Sequence, residues 1–215
     1  SGMDLRHGMW SHQSPYAAAD TRWDGHAMAF ISGISEKDPV AGIFNWNMAA
    51  GRAISEWHQV VMRGESPLSV AERELIGAFT SGLNACPLCY GVHKIVAESF
   101  GIGDDVIECL VADIETAPVR EALKPLLAYV RKLNNAPTTL TQADADAVLA
   151  AGFSERALHD AIDICAMFNY MNRVVLGHGG EQGDIGRYLP QLADLLIEGG
   201  YSQPIYTEEG AGPSE

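Results

Sequence analysis

The chain is organised around the stretch SVAERELIGAFTSGLNACPLCYGVHKIVAESFG, residues 69–101. Ser69 and Glu72 stand three residues apart, which is the spacing of a capping box, where each side chain bonds the other residue's backbone at a helix start. Apolar residues at spacings of three and four then predict one buried face of that helix: Ile76, Phe79 and Leu83. This first helix therefore carries Glu74 in an early turn.

A second helix follows after a break near Asn84. Asn84 is a good N-cap, and Pro87 suits a first turn because its missing N–H costs nothing there. Cys86 and Cys89 then lie at the start of this helix, and His93 stands four residues beyond Cys89, so the three side chains share one stripe. The pattern predicts two thiols and an imidazole within mutual reach.

The composition is typical of one globular domain with a sizeable core. The chain has 215 residues, of which 47% are hydrophobic and 20% charged. No apolar run approaches the length of a membrane span, so we expect a soluble protein without a membrane partner. The net charge of -14 argues against nucleic acid as a partner, because clustered Lys and Arg supply most of the affinity for phosphates.

The cysteines and the N-terminal residues indicate a cytoplasmic protein. Four cysteines are too few for a disulfide scaffold, and in a reducing compartment a C-x-x-C pair is more often redox or metal chemistry than a covalent link. Residues 1–15 lack the charged-then-apolar pattern of a signal peptide. We therefore expect a cytoplasmic location and a reactive dithiol.

The rest of the chain predicts an all-α fold of many helices, since no segment shows the alternation of a strand. Residues 1–38, polar and aromatic by turns, are expected to form an irregular arm. A single all-helical domain is expected over residues 39–198, and it begins with one helix over Val40–Arg63. Residues 199–215 are rich in Gly, Pro, Ser and Glu and predict a mobile tail.

Caps and breaks predict the remaining helices of the domain. We expect them over Asp105–Ile114, from Pro118 to Lys132 with a kink at Pro125, from a Thr141–Asp144 cap to Gly152, from Ser154 to Gly177, and over Ile185–Ile197.

A faint internal similarity raises the possibility of two degenerate helical halves. Residues 71–75, AEREL, resemble residues 154–158, SERAL, and each segment begins a long helix. The same offset places Asn169 and Asn172 opposite the two cysteines. A repeat that has kept the helix and lost the chemistry and a chance agreement both fit so short a similarity.

The grouping of residues favours thiol chemistry. A cysteine is a nucleophile only as the thiolate, which a helix N-terminus, a second thiol and a nearby histidine all favour. Glu74 can orient His93, since a carboxylate bonded to one imidazole nitrogen fixes the tautomer and raises the basicity of the other. The helix dipole favours Cys86 as the attacking sulfur, whereas proximity to the base favours Cys89, to which we give more weight. We expect attack by Cys89, then capture of its sulfenic acid by Cys86 to close a disulfide.

The same residues resemble a known family. Glu74, eleven intervening residues and Cys86-x-x-Cys89-x-x-x-His93 are similar to the motif of the alkylhydroperoxidase D-like branch of the carboxymuconolactone decarboxylase superfamily. The segments AERELIGAFTSGLNACPLCYGVH and FNYMNRVVLGHG resemble its peroxidase-related subgroup. One difference stands out: the best-known alkylhydroperoxidases carry a histidine between the cysteines, where this chain has Pro87 and Leu88.

The resemblance implies a cofactor-free peroxidase with an all-helical, homo-oligomeric fold, as a trimer, hexamer or dimer. It implies Cys89 as the peroxide-attacking thiolate, Cys86 as the resolving thiol, and His93 and Glu74 as the proton relay. It also implies a small hydroperoxide as substrate and a dithiol or lipoyl-type protein as reductant. No metal or other cofactor is expected.

Three other interpretations stay open. Cys86, Cys89 and His93 could be zinc ligands, although the chain offers no second C-x-x-C pair. They could be purely structural residues of an oligomeric module. The protein could also be a relative that acts on another small molecule.

Several further residues are expected to serve packing alone. We interpret Cys109 and Cys165 as buried hydrophobic residues. His58 and His178 are expected at the surface or in packing, although His178 could line a pocket between its two glycines. The apolar residues of the first helix are expected in the core: Trp46, Ile54 and Trp57.

Overall fold

The computed structural model describes residues 30–31, 34, 39–179 and 188–202. Within these residues the regular structure is helical and no strand occurs, which confirms the predicted all-α fold. The α-helices are α1 (Pro39–Trp46), α2 (Met48–Arg63), α3 (Val70–Leu83), α4 (Pro87–Ser99), α5 (Val106–Ala112), α6 (Leu123–Asn135), α7 (Gln142–Ala150), α8 (Glu155–Gly177) and α9 (Leu189–Gly199). A short 3-10 helix, Pro137–Thr139, joins α6 to α7.

The capping box that the sequence predicts at Ser69 starts α3. The Ser69 hydroxyl accepts a hydrogen bond from the Glu72 backbone N–H at 3.2 Å, and the Glu72 carboxylate accepts one from the Ser69 N–H at 2.9 Å. These two bonds satisfy N–H groups that have no partner inside the helix. The start of the helix that carries Glu74 is therefore set locally.

The cap predicted for α4 is wrong. Cys86, not Asn84, is the N-cap residue of α4, and its side chain makes no capping hydrogen bond. The Asn84 side chain instead donates to the Oδ1 atom of Asn172 on α8, at 2.9 Å. Asn172 is fully buried and donates in turn to the Ser81 hydroxyl at 3.0 Å. Asn84 is used across the core, and this contact depends on α8 lying against the α3–α4 turn.

Helix α3 lies at the centre of the molecule, and its residues from Arg73 to Gly82 are all buried. It packs against α4, α6 and α8. A Cβ atom at Gly77 would lie 2.5 Å from the ring of Phe168, so α3 and α8 approach more closely than any larger residue would allow. The side chains around this contact are among the most deeply buried of the main core: Leu75, Ile76, Phe79, Ile164, Met167 and Phe168.

The single helix predicted over Val40–Arg63 is two helices, α1 and α2. The chain breaks at Asn47, whose side-chain oxygen accepts a hydrogen bond from the Ala50 N–H at 3.1 Å and so caps α2. A Cβ atom at Gly51 would lie 2.7 Å from the carbonyl oxygen of Phe44, so α1 folds back closely on α2. Apolar spacing alone could not reveal this break, because it continues across the turn.

The change of direction at Asn47 also alters which side of α2 faces the core. Trp57, expected in the core, is 39% exposed, whereas its neighbour His58 is buried. Trp46 and Ile54 are only partly buried. The expectation of a buried Trp57 is therefore wrong, and His58 occupies the inward position.

The later helices follow the predicted order with shifted boundaries. Helix α6 begins at Leu123 and not at Pro118, because turns fill the intervening residues. Pro125 is its third residue, where a missing N–H leaves no bond unmade, and the kink expected there has no cause. Thr141 with Asp144 forms the predicted capping box of α7, and Ser154 caps α8 by accepting from the Ala157 N–H at 3.1 Å.

The two ends of the predicted domain are partly described. Apart from Phe30, Ile31 and Ile34, the predicted arm over residues 1–38 lies outside the described residues. At the other end α9 runs to Gly199, and Tyr201 is buried with 6% of its surface exposed. The predicted tail thus begins with residues of the core, and residues 203–215 lie outside the described part.

None of the helices in the described part of the chain is both long enough and apolar enough to span a membrane.

Candidate active site

The α3–α4 hairpin brings together the four residues predicted to carry chemistry. Glu74 is fully buried on α3, and His93 is 8% exposed on the facing side of α4. The Nδ1 atom of His93 lies 2.7 Å from the Oε2 atom of Glu74, and in the tautomer with a proton on Nδ1 it donates to that oxygen. The Nε2 atom is then the nitrogen that can take up a proton. The predicted approach of Glu74 to His93 is present.

The two cysteines occupy different positions at the start of α4. Cys89 is the third residue of the helix, in the turn where backbone N–H groups favour negative charge, and His93 lies one turn further along the same face. Cys86 precedes the helix and is fully buried among apolar side chains of α1, α4 and α8. Both are present as thiols and not as a disulfide. Of the two, Cys89 lines a cavity that His93 also lines.

Glu74 accepts hydrogen bonds from two further residues, neither of which was singled out in the sequence. The Arg63 guanidinium on α2 donates from Nη1 to Oε1 at 2.5 Å, and the Tyr201 hydroxyl donates to the same oxygen at 3.0 Å. Burial on its own would raise the pKa of Glu74, but the bonds and positive charges of His93 and Arg63 outweigh it and lower the pKa below its usual range. The carboxylate is therefore ionised at neutral pH.

Tyr201 lies between α2 and His93. Its hydroxyl is 3.3 Å from His93 Nδ1, and its ring stacks on His58 with ring centres 5.4 Å apart. The guanidinium of Arg63 lies over the same ring, 5.0 Å from its centre. Burial, followed by the negative charge of Glu74, raises the pKa of Tyr201 well above its usual value, so the phenol keeps its proton.

His58 was expected at the surface or in packing, and it lines the cavity. Its Nδ1 atom lies 2.9 Å from the carbonyl oxygen of Ile54, one turn earlier in α2. Burial lowers the pKa of His58 to about 4, and this outweighs the bond to Ile54, which raises it. His58 is therefore a neutral aromatic wall of the site at neutral pH.

A cavity of about 170 Å³ opens beside Cys89 and His93. Its polar lining groups belong to Ser55, His58, Cys89, His93 and Tyr201, and no Asp, Glu, Lys or Arg is among the described residues that line it. Most of the remaining wall is apolar and comes from four helices, α1, α4, α8 and α9: Val40, Phe44, Leu88, Val92, Phe168, Met171, Val175, Leu192, Leu195 and Leu196. Leu88 adds to this apolar wall at one of the two places between the cysteines. The shape and lining suit a small uncharged molecule.

Two residues of the site had no clear signal in the sequence. Arg63 ends a helix and stands before Gly64, where a basic residue is ordinarily a solvated favourable partner of the helix dipole. Tyr201 follows two glycines at the start of a segment with the composition of a tail. A large aromatic residue directly after an apolar helix was the only hint that this segment returns to the core.

The remaining candidates lie outside this grouping. Cys165 is buried in α8, where burial raises the pKa of its thiol to about 11, and Cys109 is partly buried in α5. The His178 ring bonds the Val174 carbonyl at 2.7 Å, as a packing residue would. Among the described residues, no three His, Cys, Asp or Glu side chains are grouped so that they could hold a metal ion.

The known proteins that this chain resembles were found among solved structures. No protein-family model matches the chain, and no curated protein matches it. A peroxidase-related protein from Silicibacter sp. TM1040 is 26% identical, with a TM-score of 0.58, over 65% of this chain and 75% of that one. A peroxidase-related protein from Ralstonia eutropha JMP134, described as an alkylhydroperoxidase AhpD core, is 21% identical, with a TM-score of 0.61, over 78% of each chain.

A third similar structure carries a different activity in its name. It is a Cys-to-Ala variant of the debrominase Bmp8 in complex with 2,3,4-tribromopyrrole, 14% identical, with a TM-score of 0.58 over 77% of this chain and 96% of that one. At this identity the likeness concerns the fold.

The chain therefore has the all-helical fold of alkylhydroperoxidase D-like proteins, and two of the structures that it resembles are peroxidase-related proteins. The resemblance predicted from the Glu74, Cys86, Cys89 and His93 motif is thereby confirmed.

Proposed function

We propose that this protein is a thiol-dependent peroxidase that reduces small organic hydroperoxides with Cys89 and Cys86. The observation that carries the proposal is the position of Cys89, which lines an apolar cavity together with His93. The Nδ1 atom of His93 is bonded to the buried, ionised Glu74. A nucleophile, a base and a group that orients the base are the parts that covalent catalysis by a thiol needs.

In the first step His93 takes the Cys89 proton at Nε2, while Glu74 holds Nδ1 and stabilises the positive charge that forms on the ring. The thiolate attacks one oxygen of the hydroperoxide, the O–O bond breaks, and the other oxygen leaves as an alkoxide. His93 returns its proton to that alkoxide. The products are an alcohol and the sulfenic acid of Cys89.

In the second step Cys86 resolves the sulfenic acid. Its sulfur attacks the Cys89 sulfur, the S–O bond breaks, water leaves, and a disulfide forms between residues three apart at the helix start. Side chains at this spacing are neighbours, so the disulfide needs only local adjustment of the turn. The deep burial of Cys86 supports this role, because a hydroperoxide in the cavity would meet Cys89 first. A dithiol or lipoyl-type protein is the proposed reductant.

The direct test counts thiols. Reduced, chelator-treated protein is mixed with one equivalent of cumene hydroperoxide, and its intact mass and thiol number are followed. We expect rapid loss of two thiols that peptide mass assigns to Cys86 and Cys89. Cys86→Ser should stop at a trapped sulfenic acid, and Cys89→Ser should form none.

Cys109→Ser is the matched control, because Cys109 lies on α5, outside the cavity lining. This variant should still lose the same two thiols at the wild-type rate. Four thiols that persist in the wild-type protein, or equal sulfenic acid labelling in Cys89→Ser and wild type, would sink the peroxidase proposal.

A second candidate function is thiol-dependent chemistry on a small apolar molecule that is not a peroxide. The apolar lining of the cavity favours it, as does the fold shared with a debrominase that binds a brominated pyrrole. Two results together would support this candidate over the first. The thiols would persist in the presence of hydroperoxide, and bound 2,3,4-tribromopyrrole would protect Cys89 from an alkylating reagent.

A further inference from the structure

We propose that Tyr201 is a positioning residue of the Glu74–His93 relay, so that the segment following α9 completes the active site. The inference rests on the proposed function of that relay, and it adds a residue from the far end of the chain. Tyr201 touches Glu74 and His93 and lines the cavity.

The segment that carries Tyr201 is attached to α2 at two points. The Arg63 guanidinium donates from Nη2 to the carbonyl oxygen of Leu196 in α9, at 3.2 Å. The Tyr201 N–H donates to the side-chain oxygen of Gln59, at 2.7 Å. Both bonds come from one face of α2, and together they fix the end of α9 beside the relay.

Gly200 makes the turn that directs Tyr201 inward. Its φ of 65° and ψ of -151° lie in a region that is essentially restricted to glycine. A Cβ atom at this position would also lie 2.7 Å from the Gln59 oxygen that holds Tyr201. The entry of the tyrosine therefore depends on a backbone conformation that other residues strain to adopt.

The hydroxyl of Tyr201 acts on the carboxylate of Glu74. Oε1 accepts from Arg63 and Tyr201, which leaves Oε2 aligned with Nδ1 of His93. With one of these donors removed, the carboxylate is less firmly held against the imidazole, and the bond that keeps Nε2 as the basic nitrogen weakens. We infer that Tyr201 maintains this alignment and takes no part in bond making.

The groups around the relay define what any change in pH dependence would report. From α8 the relay meets the ring of Phe168. Titratable or charged side chains face the relay from three helices and from the segment after α9: Arg63 and His58 on α2, Arg73 and Glu74 on α3, Cys89 and His93 on α4, and Tyr201.

The test compares Tyr201→Phe with wild type by two rates, each followed from pH 5 to 9. One is peroxide-driven sulfenic acid formation, and the other is alkylation of Cys89 by iodoacetamide, which needs no peroxide. We expect Tyr201→Phe to slow both about tenfold at neutral pH, because one hydrogen bond to a buried charge is lost. We also expect the midpoint of the alkylation profile to move to higher pH, with the fold intact by circular dichroism. Tyr170→Phe, at an exposed tyrosine of α8, should change neither rate nor midpoint.

A second pair of variants separates position from chemistry. Gly200→Ala keeps every side chain of the relay but strains the turn, so it should reproduce the slower alkylation and the shifted midpoint of Tyr201→Phe. Gly152→Ala carries similar strain, at a φ of 97°, in the turn before α8 with open space around it, and should leave both readouts unchanged.

Unchanged rates and midpoint in folded Tyr201→Phe, or a midpoint shifted to lower pH, would overturn the assignment, as would an equal effect of Tyr170→Phe. If wild type loses no thiols with hydroperoxide, the peroxidase proposal fails by itself. The alkylation comparison then still decides whether Tyr201 positions the relay.

Discussion

Two sides of the His93 ring environment are built in different ways. On one side Glu74, 19 residues away in the sequence, faces His93 across the α3–α4 hairpin. On the other side Tyr201, 108 residues away, reaches the same nitrogen from the segment after α9. The first side follows from capped neighbouring helices, whereas the second requires the rest of the domain to fold around them. A site of this kind can be recognised from the first side and is completed by the second.

The largest expected effect comes from breaking the junction of the two sides at Arg63. Arg63→Met leaves the buried carboxylate of Glu74 without its cationic partner, and we expect the free energy of unfolding to fall by about 3–5 kcal/mol. Urea unfolding measures it. Arg52→Met, at an exposed position of the same helix, should stay within about 0.5 kcal/mol of wild type.

A double-mutant cycle sharpens the Arg63 prediction. Arg63→Met combined with Glu74→Gln should lose less than the sum of the single losses, because the unpaired charge is gone. Strict additivity would mean that the two groups do not interact as the geometry indicates.

A somewhat smaller loss of stability is expected in acid, through His58 of α2, whose ring stacks on Tyr201. The pKa of His58 is about 4 in the folded protein and near 6.5 when unfolded, so as pH falls through this interval the unfolded chain takes up a proton first. Stability should therefore decline by about 3 kcal/mol between roughly pH 6.5 and 4. Unfolding titrations at several pH values measure the slope.

The matched variants for this slope are two histidines. His58→Phe keeps an aromatic ring against Tyr201 and should flatten the acid dependence. His159→Phe, at an exposed site of α8, should leave it as in wild type. A slope that is the same in His58→Phe and wild type would remove His58 as its cause.

On the side of the site formed by Glu74, the charge can be removed without a change in the size of the side chain. Glu74→Gln keeps the size of the side chain but removes the charge that stabilises a protonated His93. We expect sulfenic acid formation at Cys89 to slow about a hundredfold, which corresponds to about 2.7 kcal/mol. Stopped-flow measurement with hydroperoxide tests it, and Glu56→Gln, at an exposed position of α2, is the control. A loss below about threefold would argue that Glu74 does not serve the relay.

The smallest effect is expected at the local signal that starts α3. Ser69→Ala removes one partner of the capping box and should lower the free energy of unfolding by about 1 kcal/mol. Ser154→Ala removes the corresponding cap of α8 and should cost about the same. If either loss rivalled that of Arg63→Met, local signals would hold the site as firmly as tertiary contacts.

The accuracy of the sequence predictions follows the same division. Capping boxes at Ser69 and Thr141 depend on side chains bonding to backbone within one turn, so they were readable in advance. The break at Asn47 and the inward turn of His58 were not, because they depend on α1 folding back against α2. Asn84 illustrates the limit: an asparagine side chain suits a helix cap, but here it donates a hydrogen bond to Asn172 on α8.

Sequence alone determined the helical class of this protein and the placement of Cys89 and His93 on one face of a helix that Cys86 directly precedes, because spacing along a helix dictates which side chains are neighbours. Tertiary structure decided that Cys89 opens on an apolar cavity. It also decided that Arg63 and Tyr201 bond the carboxylate of Glu74. Those contacts join segments whose approach depends on the packing of the whole core, and no local pattern encodes such an approach.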